Sequence, residues 1–312
     1  MSMQPTEALI QTSPPASTIR QGSGGEPPRH KLVPPSVRLI TPASLFVILG
    51  LIAPLALMLR YSFNQYDPSE LMISAFTFEN YAKFLQDSFY QHVLLTTLGI
   101  SALATFLCLL AGFPVAYFMV RLASQRMRSL FFILIILPLL MGNAVRTAAW
   151  MVILGDKGLL SSTMAALGLD PIKLMYTPTA VIIGLVSVLL PFMIITLQSV
   201  MQGLERNLED AAASLGATHL TVLRRIILPL AMPGLLAGTM LCFILSMNAY
   251  ATPVLIGGPQ FHMMAPEVYQ QVTKAMNWPF GSALAFILMG VTLILTTGAN
   301  IIVQRRYRKW SD

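Results

Sequence analysis

Charge is what this sequence has least of. Only 11% of its 312 residues are Asp, Glu, Lys or Arg, 55% are hydrophobic, and the mean hydropathy is +0.68. A water-soluble domain carries about 25% charged residues, so this chain has too little charge to solvate such a surface. Its apolar residues come in long blocks, and the solvent that matters is lipid. Cysteine is nearly absent as well. Cys108 and Cys242 both fall inside apolar blocks, where they act as small hydrophobes, so no disulfide framework is expected and the redox compartment stays open. There is no Gly-x-x-x-x-Gly-Lys-Ser/Thr phosphate loop, no His-Glu-x-x-His and no nucleophile elbow. The chain therefore has no Walker motif of its own with which to bind ATP. No internal repeat is evident. The formal charge of +7 sits in short clusters beside apolar blocks, without an aromatic-studded basic face, which argues against nucleic acid as a partner. A β-barrel is excluded, because its strands are about 10 residues long and alternate in polarity.

What is present is a set of membrane-length runs. A helix crossing the hydrocarbon needs about 20 apolar residues, and six stretches qualify: 39–59, 92–120, 130–154, 178–200, 229–256 and 282–303. The sequence thus predicts an all-α polytopic membrane protein with six transmembrane helices. Residues 1–36, rich in Pro, Ser, Gly and Gln, read as a disordered cytoplasmic tail. Residues 37–304 form the membrane domain, and 305–312 a cytoplasmic C-terminal tail. The first apolar block starts too late and runs too long for a cleaved signal peptide. Orientation follows from the basic residues. Arg121, Arg126 and Arg128, then Arg206, Arg224 and Arg225, then the RRYRK run at 305–309 all fall on the side that also holds the N-terminus. Excess Lys and Arg marks the cytoplasmic face, so both termini are expected inside.

The loop between the fourth and fifth spans has a pattern unusual for a connector. Leu204, Leu208, Ala211, Ala212 and Leu215 share one helical face. Asn207 is the expected N-cap, and Glu209 and Asp210 sit in the first turn, where they favour the helix dipole. Gly216 supplies a stop, a second helix starts at Thr218, and Pro229 marks the turn into the membrane. Periodicity alone leaves two readings, a surface helix packed on its own bundle or on lipid headgroups, and a helix that docks elsewhere. A lipid-surface helix carries Lys or Arg beside bulky aromatics. Acids and alanines stand here instead, which favours a protein groove as the partner.

Asp210-Ala211-Ala212, three residues, Gly216, nine residues, then Ile226-x-Leu228-Pro229 has the spacing of the EAA loop of ABC importer permeases. Phe113–Phe118, Val145–Trp150, Leu190–Phe192, Leu255–Gly258 and Asn277–Gly281 resemble the spermidine/putrescine branch of the type I, binding-protein-dependent permeases. The resemblance runs from about residue 39 to 303. It implies the type I permease fold and the role of a permease subunit in a bacterial inner membrane importer, polyamine-type. ATP and magnesium would lie on separate ATP-binding subunits, so this chain needs no cofactor or metal and has no catalytic residue. The other implied partners are a second permease subunit, an extracytoplasmic substrate-binding protein, a small-molecule substrate and the lipid bilayer. The resemblance makes Glu209, Asp210, Ala211, Ala212, Gly216, Ile226, Leu228 and Pro229 a coupling loop at about 204–228, docked on an ATPase. The family usually has Glu where Asp210 stands, which leaves open whether Asp210 or Glu209 makes the contact.

Polar groups inside spans are costly and face a cavity or a partner helix. Asn143, Arg146 and Trp150 in the third block, and Asn248 and Tyr250 in the fifth, are the candidate substrate pathway. Helix–helix hydrogen bonds, and snorkelling of Arg146 to the outer interface, are the alternatives. No Asp or Glu falls within the six spans, and the acids of the outer segments, Glu267 among them, read as solvated charge or as contacts for an external protein. The rival functions are a permease for another small solute (iron, sulfate or an opine-like compound), an ion-coupled secondary transporter, and a membrane scaffold. A secondary transporter usually shows buried acids and an inverted repeat.

Overall fold

The computed structural model describes residues 35–170 and 172–311. The expected N-terminal tail lies outside the described residues except for its last two, which already belong to the first helix. The described residues are helical throughout, with one isolated antiparallel bridge between Gln65 and Ile73. In chain order the helices are α1 (Pro35–Ser62), α2 (Glu79–Gln86), α3 (Ser88–Tyr117), α4 (Gln125–Leu140), α5 (Asn143–Leu154), α6 (Leu159–Ala166), α7 (Pro178–Gln202), α8 (Asn207–Ser214), α9 (His219–Val222), α10 (Leu228–Leu230), α11 (Met232–Met247), α12 (Met264–Thr273) and α13 (Trp278–Ser311). Single π-helical turns follow α3 (Phe118–Leu122) and α9 (Leu223–Ile227), and a third spans Pro253–Gly257.

The chain divides into two compact units at Ala53–Pro54. The first contributes the start of α1, whose described apolar side chains, such as Phe46 and Val47, are exposed. The second unit holds everything that follows. Its centre is built by α3, α7 and α11. Ala104, Cys108, Gly112 and Ala116 recur at every fourth residue of α3 and are buried, as are Leu185, Leu189, Met193, Leu197 and Met201 on α7. A row of small residues against a row of large ones lets two helices approach closely, and packing of this kind drives helix association where lipid is as apolar as leucine. Gly112 and Gly238 both need their missing side chains: a Cβ at either would stand within 2.9 Å of Met193. The two thiols sit in this seam, where Cys108 donates to the Val186 carbonyl and Cys242 to that of Leu189.

Four helices, Ser44–Ser62, Ser88–Leu122, Pro178–Gln202 and Trp278–Val303, are long and apolar enough to cross a membrane. Two further crossings are bent pairs, which makes six if each pair counts as one span. The third expected span, 130–154, is not one helix. It breaks between α4 and α5 with a bend of 101°. Pro138 removes a backbone donor from the last turn of α4, and Met141 and Gly142 are extended. The fifth span bends by 68° at Ala231, between Pro229 and Pro233. The outer segments also carry helices that the hydropathy pattern did not suggest, α2, α6 and α12. At the other end α13 continues through 305–311 as helix.

Loops of the second unit sort to two ends. The Thr97 hydroxyl accepts from the Met264 amide, Tyr66 donates to the Ala275 carbonyl, and the Tyr176 amide donates to Ile256. At the opposite end of α3, Arg121 reaches the segment around Leu204. The loop after α3 and the loop after α7 thus meet at one end, and the segments around Tyr66, Tyr176, Met264 and Ala275 lie toward the other.

Candidate functional site

The loop 203–229 begins with Leu204, whose side chain packs against the central cluster. Helix α8 follows, and its cap differs from expectation. Arg206 occupies the cap position and Asn207 is the first helical residue, with no side-chain cap bond. Gly216 closes the helix at φ +80°, in the left-handed region, with the Gly216 and Ala217 amides returning to the carbonyls of Ala213 and Ala212. The second helix, expected to start at Thr218, begins one residue later, and Thr218 caps it with its hydroxyl accepting from the Thr221 amide.

Most of α8 and its stop is exposed, and three of the residues that the EAA spacing singled out are among the exposed ones. Asp210, Ala211 and Gly216 are exposed, Ala212 is half-buried, and Leu215 is 89% exposed although large and apolar. Glu209 differs from its neighbour Asp210. It pairs with Arg121, Nε to Oε1 at 2.6 Å, and both side chains are mostly buried. Arg121 also donates from Nη2 to the Leu204 carbonyl at 3.0 Å. Past Thr218, the buried residues are Val222, Ile227 and Ala231. Leu228 is exposed, and Ile226 and Pro229 are half-buried, so the residue anchored in the bundle is the variable one inside Ile-x-Leu-Pro.

The pathway candidates converge less. Helix α5 and the segment after α11 do meet, through Thr147 and Thr252, whose hydroxyls lie 3.4 Å apart. Arg146 is half-buried, and its Nε and Nη1 are covered without a hydrogen-bond partner. Trp150 lines an apolar groove of about 470 Å³ with Leu107, Leu110, Ile182 and Val186. Asn143 is exposed. The exposed Asn248 donates from Nδ2 to the Ile244 carbonyl of its own helix at 2.9 Å. Tyr250 packs against Tyr269 with ring centroids 4.7 Å apart and the planes tilted at 53°.

One outer acid departs from the solvated reading. Glu267 is 6% exposed, beside His262 at 3.6 Å and accepting from Gln271 at 3.3 Å. Hydropathy and spacing missed Arg121, Thr147 and Thr252. Arg121 had a signal, an arginine at the very end of an apolar block facing a loop with a pair of acids. The threonines had none, because one hydroxyl in an apolar run marks no partner.

A helical bundle with two broken spans and an exposed amphipathic helix at its basic end has the form of a membrane transport component, and comparison with known proteins agrees. Residues 104–309 match the family described as the binding-protein-dependent transport system inner membrane component. The spermidine/putrescine transport system permease protein PotB of Escherichia coli is 34% identical over 266 residues, 84% of this chain and 96% of that protein. Its Salmonella typhimurium counterpart is 34% identical over 86% of this chain and 94% of its own length. The spermidine/putrescine permease PotC of Escherichia coli is 36% identical over 115 residues, 37% of this chain and 43% of that protein. Among solved structures, a chain of a bacterial alginate ABC transporter in complex with an alginate pentasaccharide-bound periplasmic protein shares the fold, with a TM-score of 0.75 at 15% identity, over 87% of this chain and 94% of that one. The chain belongs to the binding-protein-dependent transport system inner membrane component family. It is a multi-pass permease of the bacterial inner membrane.

Proposed function

We propose that this permease imports polyamines such as spermidine and putrescine, driven by ATP that separate subunits hydrolyse. The observation that carries the reading is the bare face of α8. Asp210, Ala211 and Leu215 are held in a capped helix yet touch nothing that would bury a large apolar side chain. A surface of this kind, small residues beside the exposed Leu208 and Leu215, fits the groove of a protein partner. The polyamine assignment rests on relatives that carry the name spermidine/putrescine permease and cover most of this chain. Similarity to both PotB and PotC supports a second, related permease subunit beside this one.

In this reading the ATP-binding subunits dock on α8 and on Gly216, an external binding protein delivers the solute, and bending at the two breaks switches access from one side to the other. The chain's own part is to hold α8 at the inner mouth and to keep α3, α7 and α11 rigid enough to move together. Asn143, Arg146, Trp150 and Tyr250 lie near the α5 break and the segment after α11, where a pathway would open. Pull-down of the chain from detergent-solubilised native membranes, with partners identified by mass spectrometry, tests this. Recovery of a Walker-motif ATPase and of a binding protein that retains spermidine or putrescine is the expected result. A binding protein that holds iron, sulfate or an opine instead overturns the substrate, and recovery of the chain alone overturns the importer.

A further inference from the structure

Two neighbouring acids of α8 have opposite surroundings. Asp210 is exposed and has no ion-pair partner among the described residues, and what it contributes to the helix is its backbone carbonyl, which accepts from the Ser214 hydroxyl at 2.9 Å. Glu209 points the other way, with its side chain 16% exposed and set against an Arg121 that is 11% exposed. Arg121 holds two points of the loop at once, the Leu204 carbonyl before α8 and the Glu209 carboxylate inside its first turn. The first hold is a hydrogen bond and the second a close ion pair, with no hydrogen bond reaching Glu209 Oε1. Low exposure also spares the pair much of the salt screening that weakens surface ion pairs.

The location gives the contact its consequence. Arg121 lies in the π-helical turn that ends α3, and α3 carries the row of small residues packed against α7. Among the described ion pairs and side-chain hydrogen bonds, the Arg121–Glu209 pair is the one that ties a side chain of α8 to a membrane helix. A force applied to α8 from outside therefore reaches α3 through this contact as well as α7 through the backbone. Leu204 reinforces it by seating the start of the loop in the central cluster.

We infer that Arg121 and Glu209 form a strap that transmits displacement of α8 to α3, leaving Asp210 as the acid that faces the ATP-binding subunit. This rests on the importer reading above and divides the two acids by role. Arg121 and Glu209 are positioning residues, which touch neither nucleotide nor solute.

The test uses the complete importer, purified with its ATP-binding subunits, reconstituted into liposomes and supplied with its binding protein loaded with radiolabelled spermidine. Two quantities are read, ATP hydrolysed per spermidine imported and the amount of ATPase that co-purifies. Arg121→Gln and Glu209→Gln should each raise the first at least about fivefold, the lower end of coupling between sites, and leave the second at its wild-type level. The exchanged pair Arg121→Glu/Glu209→Arg should bring the ratio back toward wild type, which a merely structural loss at either position would not do. Asp210→Asn should instead reduce the ATPase recovered. A Glu209→Gln variant that sheds the ATPase as Asp210→Asn does overturns the inference, and so does a wild-type ratio in both single variants. If the wild-type chain itself recovers no ATPase or imports no spermidine, the importer reading fails and takes the strap with it, and that outcome is recognisable because no variant is needed to see it.

Discussion

Helices α7 and α8 are separated by four residues and obey opposite rules. Helix α7 buries five large side chains in a row against the small residues of α3, and its partner Gly112 has no space even for a Cβ. Helix α8 leaves Leu215, the residue at its C-terminal end, almost wholly bare, and a Cβ at Gly216 would meet nothing within 4 Å. One is finished within this chain and the other is not. A helix in lipid must satisfy its packing with whatever protein surrounds it. An eight-residue amphipathic helix at the membrane surface gains little from its own propensity, since helices this short are marginal alone. What holds α8 in shape here is its capping and one ion pair.

Substitutions sharpen the contrast. The largest effect on folding belongs to Gly112→Val, which pushes extra carbon into Met193. Overpacking of this kind costs about 1–3 kcal/mol, and the variant should show a lowered thermal midpoint in detergent and less folded protein in the membrane. Gly216→Asp comes next. Its backbone sits at φ +80°, where a side chain costs roughly 1–2 kcal/mol, less for Asp than for most residues. Nothing in this chain obstructs the new carboxylate, so the variant should insert normally and lose solute uptake relative to ATP hydrolysed. Unchanged uptake and substrate-stimulated ATPase activity in that variant would remove Gly216 from the docking face. Leu215→Asp should change stability least, within about 0.5 kcal/mol, as exposed substitutions do. Its effect should fall on assembly, with less ATP-binding subunit recovered. A shift of its thermal midpoint as large as that of Gly112→Val would mean that α8 is packed in the folded protein after all.

Much of α8 was legible beforehand. The leucine and alanine periodicity, the first-turn acids and the glycine stop are local signals, carried by residues within a few turns of one another. Asn207 is the exception. It falls one place inside the helix, with Arg206 in the cap position. The broken third span was half legible. Gly142 and Asn143 interrupt the apolar run, yet hydropathy averages over such an interruption, and only Pro138 together with two extended residues produces a bend of 101°.

Composition and spacing alone determined that this chain lives in lipid, which loops share a side, and that a short helix stops at Gly216. These follow from the cost of burying charge and from hydrogen bonds between near neighbours, both written into consecutive residues. Tertiary structure decided the matters that join distant residues: which acid of the pair faces inward, that Arg121 is its partner across 88 positions, that Glu267 is buried, and that Thr147 meets Thr252. The positive-inside rule accounts for Arg121 equally well whether or not it has a partner. Choosing between those cases takes the folded path that brings the end of α3 beside the start of α8.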